Sequence, residues 1–161
     1  VKGEHEPEYF AATDTEPAKI VFAHGFFASA LHEISHWCMA GQKRRLLNDF
    51  GYWYAPDGRN EQQQQQFEQV EILPQAIECL LTLACNKPFS VSKDNLFADF
   101  DTSQSTFEAD VQAQAVKFWQ TGQKLSTDAK VLLSQLTKLR PLPLTSFDIS
   151  HNFVKVNFYQ S

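Results

Sequence analysis

The chain has 161 residues, a formal net charge of −5 and a sequence pI near 5.5. Its hydrophobic fraction of 43% and its 14 Phe exclude the composition of a disordered chain. The acidic balance gives no general attraction to nucleic acid, and no apolar run reaches the roughly 18 residues of a membrane span, so we expect neither partner. We expect one compact domain over residues 1–161, because this length forms one core comfortably and two poorly.

The N-terminal part predicts little regular structure before residue 18. Residues 1–17 are polar and acidic, with Pro7 and Pro17 as breakers, and are expected to be irregular or to form a sheet edge. Residues 18–24, AKIVFAH, have the length and composition of a strand. The sequence starts at Val1 without an initiating Met, which is compatible with a further segment upstream.

Residues 28–40 have a helical pattern that contains the sequence HEISH. Ser29 is placed to cap the start of this helix, and Gly41 follows its end. Residues four apart project from the same face of a helix. The imidazoles of His32 and His36 can therefore approach one metal ion.

The central part predicts a structured loop, a glutamine-rich loop and a second helix. Residues 48–60 combine adjacent aromatics with a P-D-G turn, and residues 61–66 contain five consecutive glutamines that we expect in a surface loop. Pro74 suits the first turn of a helix that reaches about Cys85. Because the cysteines form no CxxC pair, we expect reduced, packed thiols, as is typical of a cytosolic protein.

The C-terminal half predicts a loop followed by two helices. Residues 88–104 are loop-like, and Ser105 with Glu108 forms a capping box before a helix that reaches about residue 120. A further helix is expected from Thr127 to Leu139, and residues 153–159 have partial strand character. The predicted class is α+β, mostly helical with a few short strands. The helix that carries HExxH then packs near a second carboxylate-bearing helix, as in a zincin-like local metal site.

A metal bound by two histidines needs a third ligand, and residues 67–78, FEQVEILPQAIE, offer one. If the second helix starts a turn before its proline, Glu68, Glu71, Gln75 and Glu78 share one stripe. Glu71 is central in this stripe and is the first choice, with Glu68 as the alternative. We expect Gln75 and Glu78 to hydrogen-bond to the ligands.

The identity of the metal decides the reaction. With zinc, Glu33 would act as the general base of a small metallopeptidase, which is the conventional interpretation of the spacing. With ferrous iron, the same ligands would suit oxygenase chemistry. A third interpretation is a binding protein with a structural metal. His24 is also within reach as a ligand or as a partner of the ligands, although a hydrogen-bonded core histidine is the commoner outcome.

Several stretches together resemble the bacterial elongation factor P hydroxylase family. The resemblance is specific because it joins the HEISHW helix, the DFGYWY and PDGR loop and the FE-VE-PQA segment in order, and it covers well over the central half of the chain. The run of glutamines departs from the family pattern. The matching stretches are IVFAHGFFASALHEISHWCMAG at 20–41, KRRLLNDFGYWYAPDGRN at 43–60, FEQVEILPQAIECL at 67–80 and PFSVSKDNL at 88–96.

The resemblance implies a mechanism and a protein substrate. It implies a site of two histidines and one carboxylate for Fe(II), formed by His32, His36 and either Glu71 or Glu68, with dioxygen as co-substrate. It also implies hydroxylation of the β-lysylated lysine of translation elongation factor P in the bacterial cytoplasm, which completes that modification. Glu33 then loses its peptidase role and is assigned to proton handling or to contact with the ligands.

The resemblance also suggests where the substrate side chain would bind. Aromatic faces attract ammonium groups, and acidic groups such as Glu33 or Glu78 would suit them as well. Core packing under the metal site is an equally good interpretation of the aromatic residues. The residues expected to line the slot are Tyr52, Trp53, Tyr54, Asp57 and Arg59.

Overall fold

The structure is a computed structural model that describes residues 1–4, 6–52, 58–93, 95, 100, 105–139 and 149. Within these residues, three short strands and four helices confirm the mostly helical α+β class. None of the helices in these ranges is long and apolar enough to cross a membrane. The elements are β1 (Lys2–Gly3), β2 (Glu8–Phe10), β3 (Lys19–Ala23), α1 (Phe27–Arg44), a 3₁₀ turn (Asn48–Gly51), α2 (Glu61–Ala84), α3 (Phe107–Thr121) and α4 (Thr127–Leu139).

The small sheet has β3 at its centre, which confirms the predicted strand. β1 pairs with β3 in parallel and β2 pairs with it antiparallel, so the first 17 residues supply both edges. Tyr9 of β2 is buried, donates its hydroxyl to the carbonyl of Arg45 at 2.8 Å, and stacks on Phe50 at a centroid distance of 4.1 Å. The sheet is thereby fixed to the end of α1 and to the 3₁₀ turn.

Helix α1 carries HEISH as predicted, but it begins earlier than expected. Ser29 lies inside the helix, and its hydroxyl accepts a hydrogen bond from the backbone N–H of Ala23 at 2.9 Å. The expected Ser29 cap is therefore wrong, because the side chain bonds to the end of β3 instead. Gly41 has φ 67° and ψ 174°, so it bends the helix directly after the predicted end. Glycine adopts this positive φ at little steric cost.

Helix α2 starts at Glu61 and includes the run of glutamines, so the predicted loop at 61–66 is wrong. The Asn60 side chain accepts a hydrogen bond from the Gln63 N–H at 2.9 Å, and the Gln63 side chain accepts one from the Asn60 N–H at 3.0 Å. This reciprocal cap satisfies two backbone donors at the helix start. Glutamine is also a good helix former, so the run extends the helix rather than interrupting it.

Pro74 lies in the interior of α2, which contradicts its predicted place in the first turn. A proline there removes one backbone hydrogen bond and costs about 3 kcal/mol relative to alanine. The helix continues because every residue from Pro74 to Ala84 is buried. Packing on all sides thus outweighs the local preference to end the helix.

Helix α2 packs against α1, α3 and α4 and forms the centre of the core. Cys38 and Cys79 are buried thiols within this cluster, which agrees with the expected packing, whereas Cys85 is half-buried at the end of α2. Burial raises the pKa of the Cys38 thiol to about 11 and raises that of Cys79 further. The core also contains Leu31, Ile77, Leu80, Leu81, Phe107, Val111, Phe118 and Leu133.

The two C-terminal helices agree with the sequence prediction, but the predicted cap of α3 does not form. Ser105 accepts a hydrogen bond from the Phe107 N–H at 3.2 Å and donates to Glu68 at 2.7 Å. Thr106 occupies the cap position, but its hydroxyl donates to the Asp110 carboxylate at 2.7 Å and caps no backbone N–H. The capping box with Glu108 is therefore wrong. Residues 88–93 contain no helix, as expected, and the predicted strand at 153–159 lies outside the described residues.

The Asn60 cap leads to a stability prediction. Replacing Asn60 with Ala should lower the free energy of unfolding by about 1 kcal/mol, because the Gln63 N–H loses its acceptor. Urea unfolding followed by circular dichroism measures the shift in midpoint. Gln62→Ala changes an exposed side chain of the same turn and should leave the midpoint nearly unchanged. Equal midpoints for Asn60→Ala and the wild type would show that the cap contributes nothing.

Candidate metal centre

Helices α1 and α2 bring together two histidines and one carboxylate. The Nε2 atoms of His32 and His36 are 3.1 Å apart, and His36 Nε2 lies 3.3 Å from Glu71 Oε1. His32 Nε2 lies 3.7 Å from Glu71 Oε2. The three side chains each offer one ligand atom, and these atoms all lie within 4.8 Å of one another. The structure therefore assembles the predicted set with Glu71 as its carboxylate.

The donor set suits a transition metal ion. Two ligand atoms that each lie about 2.1 Å from one ion stand about 3.0–3.5 Å apart at octahedral or tetrahedral angles. The 3.1 Å between the two Nε2 atoms and the 3.3 Å from His36 Nε2 to Glu71 Oε1 fall in this range. The 3.7 Å from His32 Nε2 is measured to the other oxygen of Glu71, Oε2. Imidazole nitrogen and carboxylate oxygen are the ligand types that iron and zinc share.

Glu78 fixes the orientation of His32. Its carboxylate is buried, and its Oε2 lies 2.9 Å from His32 Nδ1, on the side of the ring away from the other ligands. Burial alone would lower the pKa of His32, but the hydrogen bond to Glu78 and the charges of Glu78, Glu71 and Glu33 outweigh it and raise the pKa to about 9. A proton on Nδ1 that bonds to Glu78 leaves Nε2 to face the cluster.

Glu71 is held as a carboxylate in the interior. Only 1% of its surface is exposed. Burial works to raise its pKa, but the hydrogen bond and charge of His36, the charge of His32 and a hydrogen bond from Gln75 together lower it. The Gln75 amide donates to Glu71 Oε2 at 3.3 Å. A buried negative charge beside two imidazoles is the arrangement that a cation would complete.

Glu33 is half-buried and lies close enough to feel the charges of the cluster. Burial is the main cause that raises the pKa of its carboxyl group, and the charges of Glu71 and Asp49 add to this effect. The positive charges of His32 and His36 oppose it without cancelling it. The carboxyl group therefore exchanges a proton closer to neutral pH than an exposed glutamate does.

The alternative third ligand, Glu68, has different partners. Its Oε2 accepts a hydrogen bond from Ser105 at 2.7 Å, and its Oε1 accepts one from Gln64 at 3.2 Å. His24 is exposed in the turn after β3, where its ring lies 5.7 Å from that of Phe26, so the expected core position is wrong. Within the described part of the chain, His24 forms no hydrogen bond or ring contact with the ligand cluster.

The predicted substrate loop is described only at its two ends. Tyr52 is exposed, and the guanidinium of Arg44 lies 3.7 Å from its ring centroid. Arg59 is buried; it donates to Gln64 at 3.0 Å, and its guanidinium lies over the ring of Phe67. This placement favours a structural role for Arg59. The predicted residues Trp53, Tyr54 and Asp57 lie outside the described part of the chain.

Sequence reasoning missed the backbone of residues 92–93, which hydrogen-bonds to the Gln64 and Gln75 side chains of α2. The backbone of Ser92 pairs with the Gln75 amide, and the carbonyl of Lys93 accepts a hydrogen bond from Gln64 at 3.0 Å. Gln64 lies in the run of five glutamines for which composition predicts a surface loop. The pattern Asn60-x-x-Gln63 was the signal that could have placed Gln64 in a helix.

Most of the chain is similar to one family of known proteins. The sequence model of the family described as elongation factor P hydroxylase matches residues 1–144. A curated protein from Haemophilus influenzae, named elongation factor P lysine hydroxylase, is 42% identical over 153 residues. The alignment covers 93% of this chain and 85% of that relative. These matches agree with the resemblance that the motifs suggested.

Proposed function

The chain belongs to the elongation factor P hydroxylase family, and from this membership we propose that it hydroxylates the β-lysylated lysine of translation elongation factor P. The observation that supports this proposal most directly is the relative named for lysine hydroxylation of that factor. We propose that the reaction depends on Fe(II) and dioxygen. Because the substrate is a translation factor, we also propose a bacterial cytoplasmic location.

The proposed metal ligands are His32, His36 and Glu71. Their spacing supports this assignment, and so does the burial of Glu71 beside the two imidazoles. When bound, ferrous iron would supply the activation of dioxygen that a lysine C–H bond requires. The side chain of His32 is 26% exposed, compared with 10% for His36 and 2% for Glu71. Substrate is therefore expected to approach from the side of His32.

Protein side chains around the cluster have distinct proposed roles. Glu78 orients the His32 ring through Nδ1, as its 2.9 Å contact supports. Glu33 handles a proton at the edge of the cluster, because burial raises the pKa of its carboxyl group. Tyr52 stays exposed beside Arg44 at the start of the predicted loop, which supports a contact with the substrate. The roles assigned to Trp53, Tyr54 and Asp57 stay predictions.

The zinc peptidase is not favoured by the comparisons, although HExxH first suggested it. A raised pKa at Glu33 would suit a general base in a peptidase as well as a proton carrier in a hydroxylase. The local geometry therefore does not separate the two reactions, and family membership favours hydroxylation. We also propose that residues 1–161 form one domain, because one core cluster joins helices α1 to α4.

The proposal predicts a defined change in substrate mass. Purified protein with Fe²⁺, a reductant and air should add one oxygen atom to the modified lysine of β-lysylated elongation factor P. The second oxygen atom leaves as water, which consumes two electrons from the reductant and two protons. Mass spectrometry of the modified peptide measures the gain. An anaerobic sample should show none.

A matched zinc assay separates the two enzyme hypotheses. The protein loaded with Zn²⁺ is incubated with casein under the same buffer conditions. Casein cleavage with zinc, together with an unchanged mass of elongation factor P with iron, would contradict the proposed hydroxylase. The substrate without its β-lysyl group tests whether the modification must come first, and we expect little oxygen gain from it.

A further inference from the structure

A single buried amide joins the proposed metal carboxylate to a distant backbone segment. The side chain of Gln75 is fully buried, with 0% exposure. Its Nε2 donates to Glu71 Oε2 at 3.3 Å and to the carbonyl of Ser92 at 2.8 Å. Its Oε1 accepts a hydrogen bond from the Ser92 N–H at 2.9 Å. Three of the hydrogen bonds that this amide can form are therefore used.

The paired contacts with Ser92 fix the orientation of the amide. The Ser92 N–H requires an oxygen in front of it, and the Ser92 carbonyl requires a donor. In a reversed amide, the NH₂ group would face the Ser92 N–H and the amide oxygen would face the Ser92 carbonyl, so neither hydrogen bond could form. The NH₂ group is consequently held on the side of Glu71, where its second hydrogen meets the carboxylate.

The segment that contains Ser92 is also hydrogen-bonded to the C-terminal end of the predicted substrate loop. We call Ser92, Lys93 and Asn95 the bracing segment. The Asn95 side chain accepts a hydrogen bond from the Gly58 N–H at 3.0 Å and donates to the Arg59 carbonyl at 3.0 Å. In sequence, Gly58 directly follows Asp57, one of the residues predicted to meet the substrate. Hydrogen bonds thus tie the bracing segment to the metal carboxylate through Ser92 and to the base of that loop through Asn95.

Gln64 provides an internal comparison within the same helix. It is 2% exposed, donates to the Lys93 carbonyl of the bracing segment at 3.0 Å and donates to a neighbouring carboxylate, Glu68, at 3.2 Å. Gln64 and Gln75 thus share burial, residue type and the segment that they hold. They differ in their other partners: Gln64 also accepts a hydrogen bond from Arg59 at 3.0 Å. Only the carboxylate beside Gln75 belongs to the ligand cluster.

We propose that Gln75 is a positioning residue that sets the direction of the Glu71 carboxylate and holds the bracing segment in register with it. A carboxylate can rotate about its terminal bond. His36 Nε2 lies 3.3 Å from Oε1 and His32 Nε2 lies 3.7 Å from Oε2, and the amide donor 3.3 Å from Oε2 opposes that rotation. Groups that hydrogen-bond to ligands typically change metal affinity by 10–100-fold when they are replaced. The role toward the substrate loop rests on the proposed function, whereas the role toward the metal does not.

Matched substitutions of the two glutamines test the proposal. Gln75→Met keeps the side-chain length and apolar packing but removes the amide, and Gln64→Met does the same at the control position. Titration of each protein with Co²⁺, without substrate or dioxygen, measures affinity and the visible absorption of the bound ion. We expect Gln75→Met to weaken Co²⁺ binding by about 10–100-fold and to alter the spectrum. Gln64→Met should keep the wild-type affinity and spectrum.

A purely structural role of Gln75 predicts a different result. Both variants release part of the bracing segment, so both should unfold at lower temperature than the wild type. If Gln75→Met lowers the unfolding temperature but binds Co²⁺ like the wild type, or if Gln64→Met weakens binding equally, the proposal is wrong. Should Gln75→Met fail to fold, Gln75→Asn keeps an amide that is too short to reach, and it has the same expected loss of affinity.

The Co²⁺ titration is independent of the hydroxylation reaction. A protein that adds no oxygen to elongation factor P but loses Co²⁺ affinity on Gln75→Met would contradict the proposed function and support the role of Gln75. If the wild type hydroxylates its substrate and Gln75→Met binds Co²⁺ as tightly as the wild type, the proposed function is supported and the role of Gln75 is contradicted. The two hypotheses can thus fail separately.

Discussion

Replacing Glu71 with Gln should lower Co²⁺ and Fe²⁺ affinity by more than about 100-fold, which exceeds the effect of losing a group that only contacts a ligand. Among the described residues, Glu71 is the carboxylate that forms the candidate ligand cluster with the two histidine nitrogens. Its amide counterpart has nearly the same size but carries no charge, so it neither balances a cation nor coordinates it as strongly. Oxygen transfer to elongation factor P should fall below detection.

Glu68→Gln is the matched control for this experiment. Glu68 lies on the same helix, and its partners are Ser105 and Gln64 rather than the histidines. We expect its replacement to change metal affinity by less than about threefold, since no ligand is removed. Isothermal titration with Co²⁺, with circular dichroism to verify folding, compares the two variants. The opposite order of effects would identify Glu68 as the third ligand.

The apparent affinity for Co²⁺ should rise about 100-fold between pH 7 and pH 9. The His32 pKa is raised to about 9, so a proton occupies the imidazole of the metal-free protein over most of this range. The ion must displace that proton, and each pH unit below 9 therefore weakens binding about tenfold. Above pH 9 the affinity should become constant. Titrations in the presence of a competing chelator measure the slope.

Glu78→Gln should remove most of this pH dependence. The amide oxygen can still accept the hydrogen bond from His32 Nδ1, but the charge that raises the His32 pKa is lost. The variant should bind Co²⁺ more weakly than the wild type at pH 9, by about tenfold, because the ligand has lost a charged partner. At pH 7 it should bind more tightly, because no proton has to be displaced. Parallel affinity curves for the two proteins would contradict this explanation.

The stability of the metal-free protein should follow the opposite trend. A pKa raised from 6.5 to about 9 on folding contributes stability that is fully present below pH 6.5 and is lost as pH rises through 9. The contribution is at most about 3 kcal/mol at low pH, from about 1.4 kcal/mol per pKa unit. Urea unfolding in chelator measures it. In Glu78→Gln the decline should be much smaller.

The sequence predicted well those elements whose pattern is local and complete. The strand before His24, the HEISH helix and the helix from Thr127 to Leu139 all show clear periodicity and end at clear breakers. It failed at residues 61–66 and at Pro74, where composition suggested a loop and a helix start. At Pro74, tertiary burial of α2 overrides the local preference to start a helix. Residues 61–66 are mostly exposed, and they are helical because of the local cap at Asn60 and the helix propensity of glutamine, which composition alone does not show.

The caps of the helices were also poorly predicted, for a related reason. Ser29 and Ser105 are suitable cap residues by type, but each side chain forms a hydrogen bond to another element, β3 or Glu68. A hydroxyl group donates one hydrogen bond and accepts at most two. Which partners it bonds to depends on the elements that pack nearby. By contrast, the cap at Asn60 uses only neighbours in sequence and was available to sequence reasoning.

By itself, the sequence determined that His32 and His36 face one point, because a spacing of four on a helix is a local property. Its motifs also identified the family, which the comparisons support. Only the tertiary structure places Glu71, rather than Glu68, beside the two histidines, although the two residues differ by only about 60° of rotation and about 4.5 Å along one helix. The position of Glu71 depends on how α2 is rotated against α1. The raised pKa of His32 depends on the same packing, because it places Glu78 beside the imidazole. Packing between distant segments sets both, so no pattern within one segment could reveal them.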